Sequence, residues 1–109
     1  MKYDKLTVMA DFCSSGIWCK DDNVMVAHED LELPEDLIKE FDDWIIFYDK
    51  ECHTPTPRSF VFKPEMAEEL NNRGRDLARK LKTLHPDIKI FYRGEVEGDM
   101  LDHEEITGV

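Results

Sequence analysis

Apolar and polar residues alternate with a period of two in two segments of the chain, residues 5–12 and 87–93. In the first segment one face carries Leu6, Val8, Ala10 and Phe12. In the second segment one face carries Ile88, Ile90 and Tyr92. Because successive side chains of a strand point to opposite faces, this alternation is typical of a strand with one buried face. The pattern therefore predicts a strand in each segment.

Two longer segments between these strands follow the period of a helix, from about Pro34 to Lys50 and from about Pro64 to Leu84. The apolar stripe of the first consists of Leu37, Ile38, Phe41, Trp44, Ile45 and Tyr48. The stripe of the second consists of Ala67, Leu70, Gly74, Leu77, Ala78 and Leu81. Both begin with a proline and have acids in the first turn, where the helix dipole favours them. We therefore predict two amphipathic helices, with Gly74 indicating either a close approach by the first helix or a kink.

The order strand, irregular segment, helix, helix, strand predicts an α+β fold, a two-layer domain with two amphipathic helices packed on a small sheet. A sheet of two strands is marginally stable on its own. We therefore expect residues 17–27 or 59–62, or a second subunit, to supply more strand pairing. The predicted core consists of Leu6, Val8, Phe12, Leu37, Phe41, Trp44, Ile45, Leu70, Leu77, Leu81, Ile88 and Ile90.

The length of 109 residues is typical of one domain. Residues 1–97 are predicted to form a single globular domain. Residues 98–109 are predicted to form an acidic, mobile C-terminal tail, with a brief strand pairing around Met100 as the alternative. No apolar run approaches about 18 residues and the N-terminal residues do not resemble a signal peptide, so we expect neither a membrane span nor a secretory leader.

Charge adds a second layer to this picture, because 25 acids outnumber 14 bases and give a net charge of −11. Direct binding to nucleic acid or to an anionic membrane requires a cationic face, so we expect neither. The acids are concentrated in residues 21–43, which hold ten acids and one base. This block is either a solvated face around a helix start, a surface for a basic partner, or a carboxylate cage for Ca²⁺, although the usual calcium-loop pattern is missing.

The interpretation as a partner surface selects nine candidate binding residues. They are Glu29, Asp30, Glu32, Glu35, Asp36, Glu40, Asp42, Asp43 and Trp18. Trp18 is included because it lies outside both apolar stripes and an exposed tryptophan often anchors an interface. Part of the acidic block is also expected to pair with Arg73, Arg75 or Arg79.

Residues capable of catalysis or metal binding form no recognisable motif. The soft metal ligands are Cys13, Cys19, His28, Cys52 and His53, and none of them shows the close pairing of a zinc site. An odd number of cysteines favours thiols in a reducing cytoplasm over disulfides. His28 and His53 are interpreted as surface histidines rather than members of acid–base pairs. We therefore predict no catalytic residue, no metal and no cofactor.

Several short stretches together resemble a known class of protein. They are Met9-Ala10-Asp11-Phe12-Cys13 with Gly16-Ile17-Trp18, Leu33-Pro34-Glu35-Asp36-Leu37 with Trp44 and Tyr48-Asp49, Gly74-Arg75-Asp76-Leu77-Ala78 with Leu81, and Ile90-Phe91-Tyr92. This set, within residues 5–93, resembles small acidic bacterial proteins of the immunity type, which inhibit a neighbouring toxin. The resemblance implies a non-enzymatic inhibitor, but its motifs are mostly core positions and carry over no functional residue.

We therefore expect a cytoplasmic protein-binding module, an acidic immunity-type inhibitor that covers the surface of a basic toxin or nuclease. One alternative is a small cytosolic enzyme or metal-binding protein that uses Cys13, Cys19 and His28. Another is a structural or regulatory homo-oligomer such as a homodimer, which Met9 and Phe91 on the second strand faces would favour.

Overall fold

The computed structural model describes residues 3–96 and 99–107 of the chain. It confirms the predicted α+β fold. Helix α1 spans Glu35–Glu51 and helix α2 spans Ala67–Leu84. In chain order the strands are β1 (Lys5–Val8), β2 (Ile17–Cys19), β3 (His53–Pro55), β4 (Phe60–Phe62), β5 (Lys89–Tyr92), β6 (Glu95–Val96), β7 (Asp99–Met100) and β8 (Glu104–Ile106).

The main sheet has four strands in the order β2-β1-β5-β8. Strands β1 and β5 are parallel, with Leu6 opposite Ile90 and Val8 opposite Tyr92, while β2 and β8 pair antiparallel at the edges. Both helices lie in the connection between β1 and β5. They cover the sheet face that carries these four side chains, each at most 1% exposed. Neither described helix is long and apolar enough to cross a membrane.

The predicted helices are confirmed, with α1 beginning one residue later than expected. The segment before α2, Pro64–Met66, is a short 3₁₀ turn. Gly74 allows the predicted close approach, because a Cβ atom there would lie 2.6 Å from Cζ2 of Trp44 and 2.3 Å from Cε1 of Tyr92. The helices and the sheet therefore meet at this glycine without room for a side chain.

The prediction that Phe12 belongs to the core is wrong, since its side chain is 41% exposed. Strand β1 ends at Val8 rather than at Phe12, and the chain then turns through Cys13, whose φ of 53° lies in the left-handed region. The alternation therefore continues in sequence beyond the point where the backbone leaves the sheet. The other predicted core residues are buried.

Both segments that were expected to supply extra strand pairing do so, but only the first joins the main sheet. Ile17–Cys19 joins the main sheet beside β1, and Met25 forms an isolated bridge to Trp18. Phe60–Phe62 pairs with His53–Pro55 in a separate hairpin instead of joining that sheet. On the second sheet face, Phe91 is partly buried beneath the ammonium group of Lys20, 5.0 Å from its ring centroid.

Residues 98–109 were predicted to be mobile, but Glu104–Ile106 forms β8, the fourth strand of the main sheet. Ile106 lies opposite Ile90 and is 5% exposed. Its apolar side chain completes the sheet face that the helices cover. The sequence pattern does not reveal this strand, because Ile106 directly follows two acids. Residues 98, 108 and 109 of that tail, and residues 1, 2 and 97 of the predicted domain, lie outside the described residues.

Candidate partner-binding surface

The acidic surface begins at a 3₁₀ turn, His28–Leu31, immediately before α1. His28 and Leu31 are buried, and the Nε2–H of His28 donates a hydrogen bond of 2.9 Å to the backbone oxygen of Ser15. The interpretation of His28 as a surface histidine is therefore wrong, because the ring anchors this turn. With the turn held from inside, the side chains of Glu29 and Asp30 are exposed.

Helix α1 distributes the remaining acids over two sides of its exposed surface. Asp36, Glu40 and Asp43 follow helical spacing and line the grooves between α1 and α2. Glu35 and Asp42, seven residues apart, lie on the other side. All eight acids predicted as binding residues are exposed, and we call this set, Glu29, Asp30, Glu32, Glu35, Asp36, Glu40, Asp42 and Asp43, the acidic surface.

Lysines neutralise the part of the acidic surface that faces α2. The Nζ atom of Lys80 lies 2.6 Å from Oε1 of Glu40 and 3.5 Å from Oδ2 of Asp76. Lys39 lies 2.9 Å from Asp43. These carboxylates raise the pKa of both ammonium groups, chiefly through their hydrogen bonds.

The expected pairing with arginines is wrong. Arg73 pairs with Glu69 on its own helix, and Arg75 pairs with Glu104 of β8. Arg79 forms no ion pair with a described residue. The cation of α2 that reaches the acidic surface is Lys80, one residue further along, because that position faces Glu40 across the groove.

Six members of the acidic surface form no ion pair with residues 3–96 or 99–107: Glu29, Asp30, Glu32, Glu35, Asp36 and Asp42. Asp30 accepts a hydrogen bond from the hydroxyl of Tyr3. On the side of α1 that faces away from α2, Glu35 and Asp42 therefore carry negative charge that no described ion pair compensates. Such a surface attracts a cationic partner over a distance set by the ionic strength.

Trp18 does not join the acidic surface. It lies opposite Thr7 in the β1–β2 pairing, so strand alternation places it on the sheet face away from the helices. Its indole N–H donates a hydrogen bond of 3.0 Å to the backbone oxygen of Met9. The structure thus separates this candidate residue from the acids of α1.

A buried polar cluster near the C-terminal end of α1 was missed by the sequence analysis. The hydroxyl of Tyr48 donates a hydrogen bond of 3.0 Å to Oε1 of Glu95, and the Nδ1–H of His53 donates one of 2.7 Å to the backbone oxygen of Tyr48. Burial raises the pKa of Glu95 and of Tyr48 above their ordinary values. His53 is 6% exposed, so its interpretation as a surface histidine is also wrong.

A signal for this cluster exists in the topology rather than in the local sequence. The Asp11 carboxylate adds to the raised pKa of Glu95 after the larger effect of burial. Asp11 follows β1 and Glu95 follows β5, and parallel strands place their following residues at the same edge of a sheet. Strand order could not be read from the two strand patterns, so these two acids could not be brought together.

The environment of Cys52, the metal-ligating side chains and the volumes of the grooves bear on the alternative of an enzyme or metal-binding protein. Burial raises the pKa of the Cys52 thiol to about 11, the opposite of the lowered pKa that activates a nucleophilic cysteine. Among the described residues, no group of three or more His, Cys, Asp and Glu could hold a metal ion. The two α1–α2 grooves have volumes of about 150 and 290 Å³, and a third groove beside α2, lined by Glu65, Glu68, Glu69, Asn72 and Arg73, has a volume of about 380 Å³. Small-molecule sites typically have volumes of roughly 300–1,000 Å³.

Comparison with known proteins agrees with the resemblance noted in the sequence. The family model described as "Serratia CdiI immunity protein-like" matches residues 4–95. The match includes both helices, the strands β1 to β5 and the whole acidic surface. No curated protein matches the chain.

Proposed function

The chain belongs to the Serratia CdiI immunity protein-like family, and on that premise we propose that it inhibits its toxin by covering a basic surface of that toxin with the acidic surface. Inhibition of a cognate toxin is the general role of an immunity-type protein. The proposal adds the location of the contact and the charge of the partner.

The observation that carries the proposal is the uncompensated charge on the outward side of α1. Of the two outward acids, Glu35 lies in the first helical turn, where the helix dipole already accounts for an acid. Asp42 has no such explanation, because it lies about two turns beyond the start of α1. Aspartate is also an unfavourable residue in a helix interior. Glu32 and Asp42 have no ion-pair partner among the described residues, and contact with a cationic protein would supply one.

The partner that fits this surface is a basic toxin, and a nuclease is the clearest example. A nuclease needs a cationic site to hold the phosphate backbone, and spaced carboxylates can occupy such a site in place of phosphates. The inhibitor would act in the cytoplasm, bind no nucleic acid directly, and need neither a cofactor nor a catalytic residue. Electrostatic steering would bring the two proteins together rapidly before the toxin reaches its substrate.

The proposal is tested by co-expressing the tagged chain with the product of each adjacent gene. We expect one of these products to be toxic alone, harmless in the presence of the chain, and recovered with it as a stable complex. The recovered toxin should have a basic contact surface, and the complex should weaken as salt increases. A toxin that is neutralised without binding the chain, or whose binding is independent of salt, would contradict the proposal.

A further inference from the structure

Two aromatic side chains form an exposed patch beyond the C-terminal end of α1. Phe12 is 41% exposed and Phe60, in β4, is 56% exposed. Their ring centroids lie 5.7 Å apart. Phe12 also packs against the rings of His53 and Tyr48, at centroid distances of 4.8 and 5.2 Å. We call Phe12 and Phe60 the aromatic patch. The ring of Phe12 packs against the rings of His53 and Tyr48, and both members of the patch are exposed to solvent.

Two carboxylates, those of Asp11 and Asp49, lie beside the turn that carries Phe12. The backbone N–H of Cys13 donates a hydrogen bond to the Asp49 carboxylate, which fixes the turn that presents Phe12. The Oδ1 atom of Asp49 is buried and has no hydrogen-bond partner among the described residues. Asp11 is exposed, and the pKa of Asp49 is raised chiefly by burial and further by repulsion from the Asp11 carboxylate. This part of the molecule therefore combines exposed rings with the carboxyl groups of Asp11 and Asp49.

The aromatic patch is continuous with the acidic surface along α1. Glu35, Asp42 and Asp49 recur every seven residues, so they lie along one side of the helix with a drift of only about 20° per repeat. The rise over these 14 residues is about 21 Å. Ile46 lies between Asp42 and Asp49 on that side and is 50% exposed. This outward side of α1 thus leads from the acidic surface, past the exposed side chain of Ile46, to Asp49 and the aromatic patch.

We propose that the aromatic patch is the apolar centre of the toxin interface and that it receives a lysine or arginine side chain of the toxin. The inference rests on the proposed function and extends it to the chemistry of one contact. A cation within about 6 Å of a ring centroid is attracted to the ring face. The exposed Asp11 would pair with the same cation and Asp49 would add negative potential beneath it, while Phe60 and Ile46 contact its apolar neighbours.

This arrangement matches the general anatomy of protein interfaces. A typical interface buries about 800 Å² on each partner, with apolar and aromatic residues at the centre and charged residues around them. The acidic surface alone would provide the charged part without an apolar centre. Fixed rings beside carboxylates supply that centre, and they select a partner segment that is both cationic and apolar.

Two single substitutions test the inference, each with a matched control. Phe60→Ala removes an exposed ring whose one described ring contact is Phe12, and Val24→Ala removes apolar surface of similar exposure, 57%, in another part of the chain. Asp49→Asn removes a charge with little change of shape, and Asp87→Asn removes an exposed charge elsewhere. Unchanged thermal midpoints establish that each variant is folded.

The probe is the toxin co-purified with the chain, separated by denaturation and refolded. We expect Phe60→Ala to weaken binding about tenfold or more, as for a central interface residue. Asp49→Asn should weaken binding as well, with a loss that shrinks at high salt, whereas the loss for Phe60→Ala should persist. Both control variants should bind within about twofold of the wild-type chain.

The outcomes separate this inference from the proposed function. If the wild-type chain binds the toxin in a salt-dependent manner and either test variant binds as tightly as its control, the aromatic patch is not the centre of the interface and the acidic surface proposal stands. If the wild-type chain does not bind the toxin, both are wrong.

Discussion

The indole N–H of Trp44 in α1 donates a hydrogen bond of 3.0 Å to the backbone oxygen of Leu70 in α2, and both partners are buried. Gly74 lies one turn further along α2 and faces the same indole ring. This pair fixes the spacing of the two helices, and it thereby fixes the distance over which Lys80 reaches Glu40. The charge pattern of the acidic surface therefore depends on packing in the core.

The first prediction concerns that packing. Gly74→Ala should destabilise the protein by roughly 1–3 kcal/mol, although alanine is the better helix former, because the new methyl group would overlap the rings of Tyr92 and Trp44. Urea unfolding measures the difference. Asn72→Ala, at an exposed position of α2, is the control and should have little effect. A stabilised Gly74→Ala variant would mean that the helices are further apart than described here.

The C-terminal strand provides the second prediction. Ile106→Ala should lower the free energy of unfolding by about 2–5 kcal/mol, because Ile106 is buried opposite Ile90. Leu101→Ala, at a residue that is 37% exposed, should change it by less than about 0.5 kcal/mol. Equal and small effects of the two substitutions would show that residues 104–106 do not contribute to the core.

The third prediction uses the raised pKa of Glu95. Because burial raises this pKa in the folded state, the protein binds the proton more tightly when folded, and the resulting stabilisation is lost as pH rises through the raised value. Glu95→Gln removes the titration and keeps an oxygen that can accept the hydrogen bond from Tyr48. The stability of this variant relative to the wild-type chain should therefore increase with pH and then level off above that pKa.

Urea unfolding of both proteins between about pH 4 and pH 8 measures this dependence. Glu105→Gln, an exposed substitution in β8, serves as the control. If the stability difference for Glu95→Gln is independent of pH, the carboxyl group does not titrate differently in the folded and unfolded states.

Sequence patterns predicted the helices well because their period extends over about five turns and involves many core residues. They failed at Phe12, where alternation continues but the backbone turns away at Cys13. They also failed at Ile106, a single apolar residue among acids, because short edge strands depend on pairing with β5 rather than on their own pattern. Local periodicity has no information on such distant contacts.

The candidate site divides in the same way. Charge clustering is visible in the sequence, so the exposed acids of this surface could be named from it, and their role in binding stays a prediction. One side of the acidic surface is neutralised because Lys80 of α2 reaches Glu40. The sequence did not indicate this contact between the two helices. Asp49 and the turn at Cys13 are brought together by tertiary structure, and Trp18 is placed on the other face of the sheet for the same reason.

The central claim is that the uncompensated side of the acidic surface attracts the toxin. A surface variant that tests it carries Glu32→Gln, Glu35→Gln and Asp42→Asn, three exposed acids that form no ion pair with the rest of the described chain. A control variant with the same net charge carries Glu65→Gln, Glu68→Gln and Asp87→Asn, also at exposed positions. Both variants should remain folded, because no substituted side chain belongs to the core.

The most direct test is the association rate constant with the toxin, measured by stopped flow from low to physiological salt for both variants and the wild-type chain. The account predicts that the surface variant associates more slowly and with a weaker dependence on salt, because charges at an interface act mainly on association and are screened beyond a Debye length of about 8 Å. The control variant should remain close to the wild-type chain. Equal rates and equal salt dependence for the two variants would contradict the account and identify the acidic surface as an ordinary solvated face.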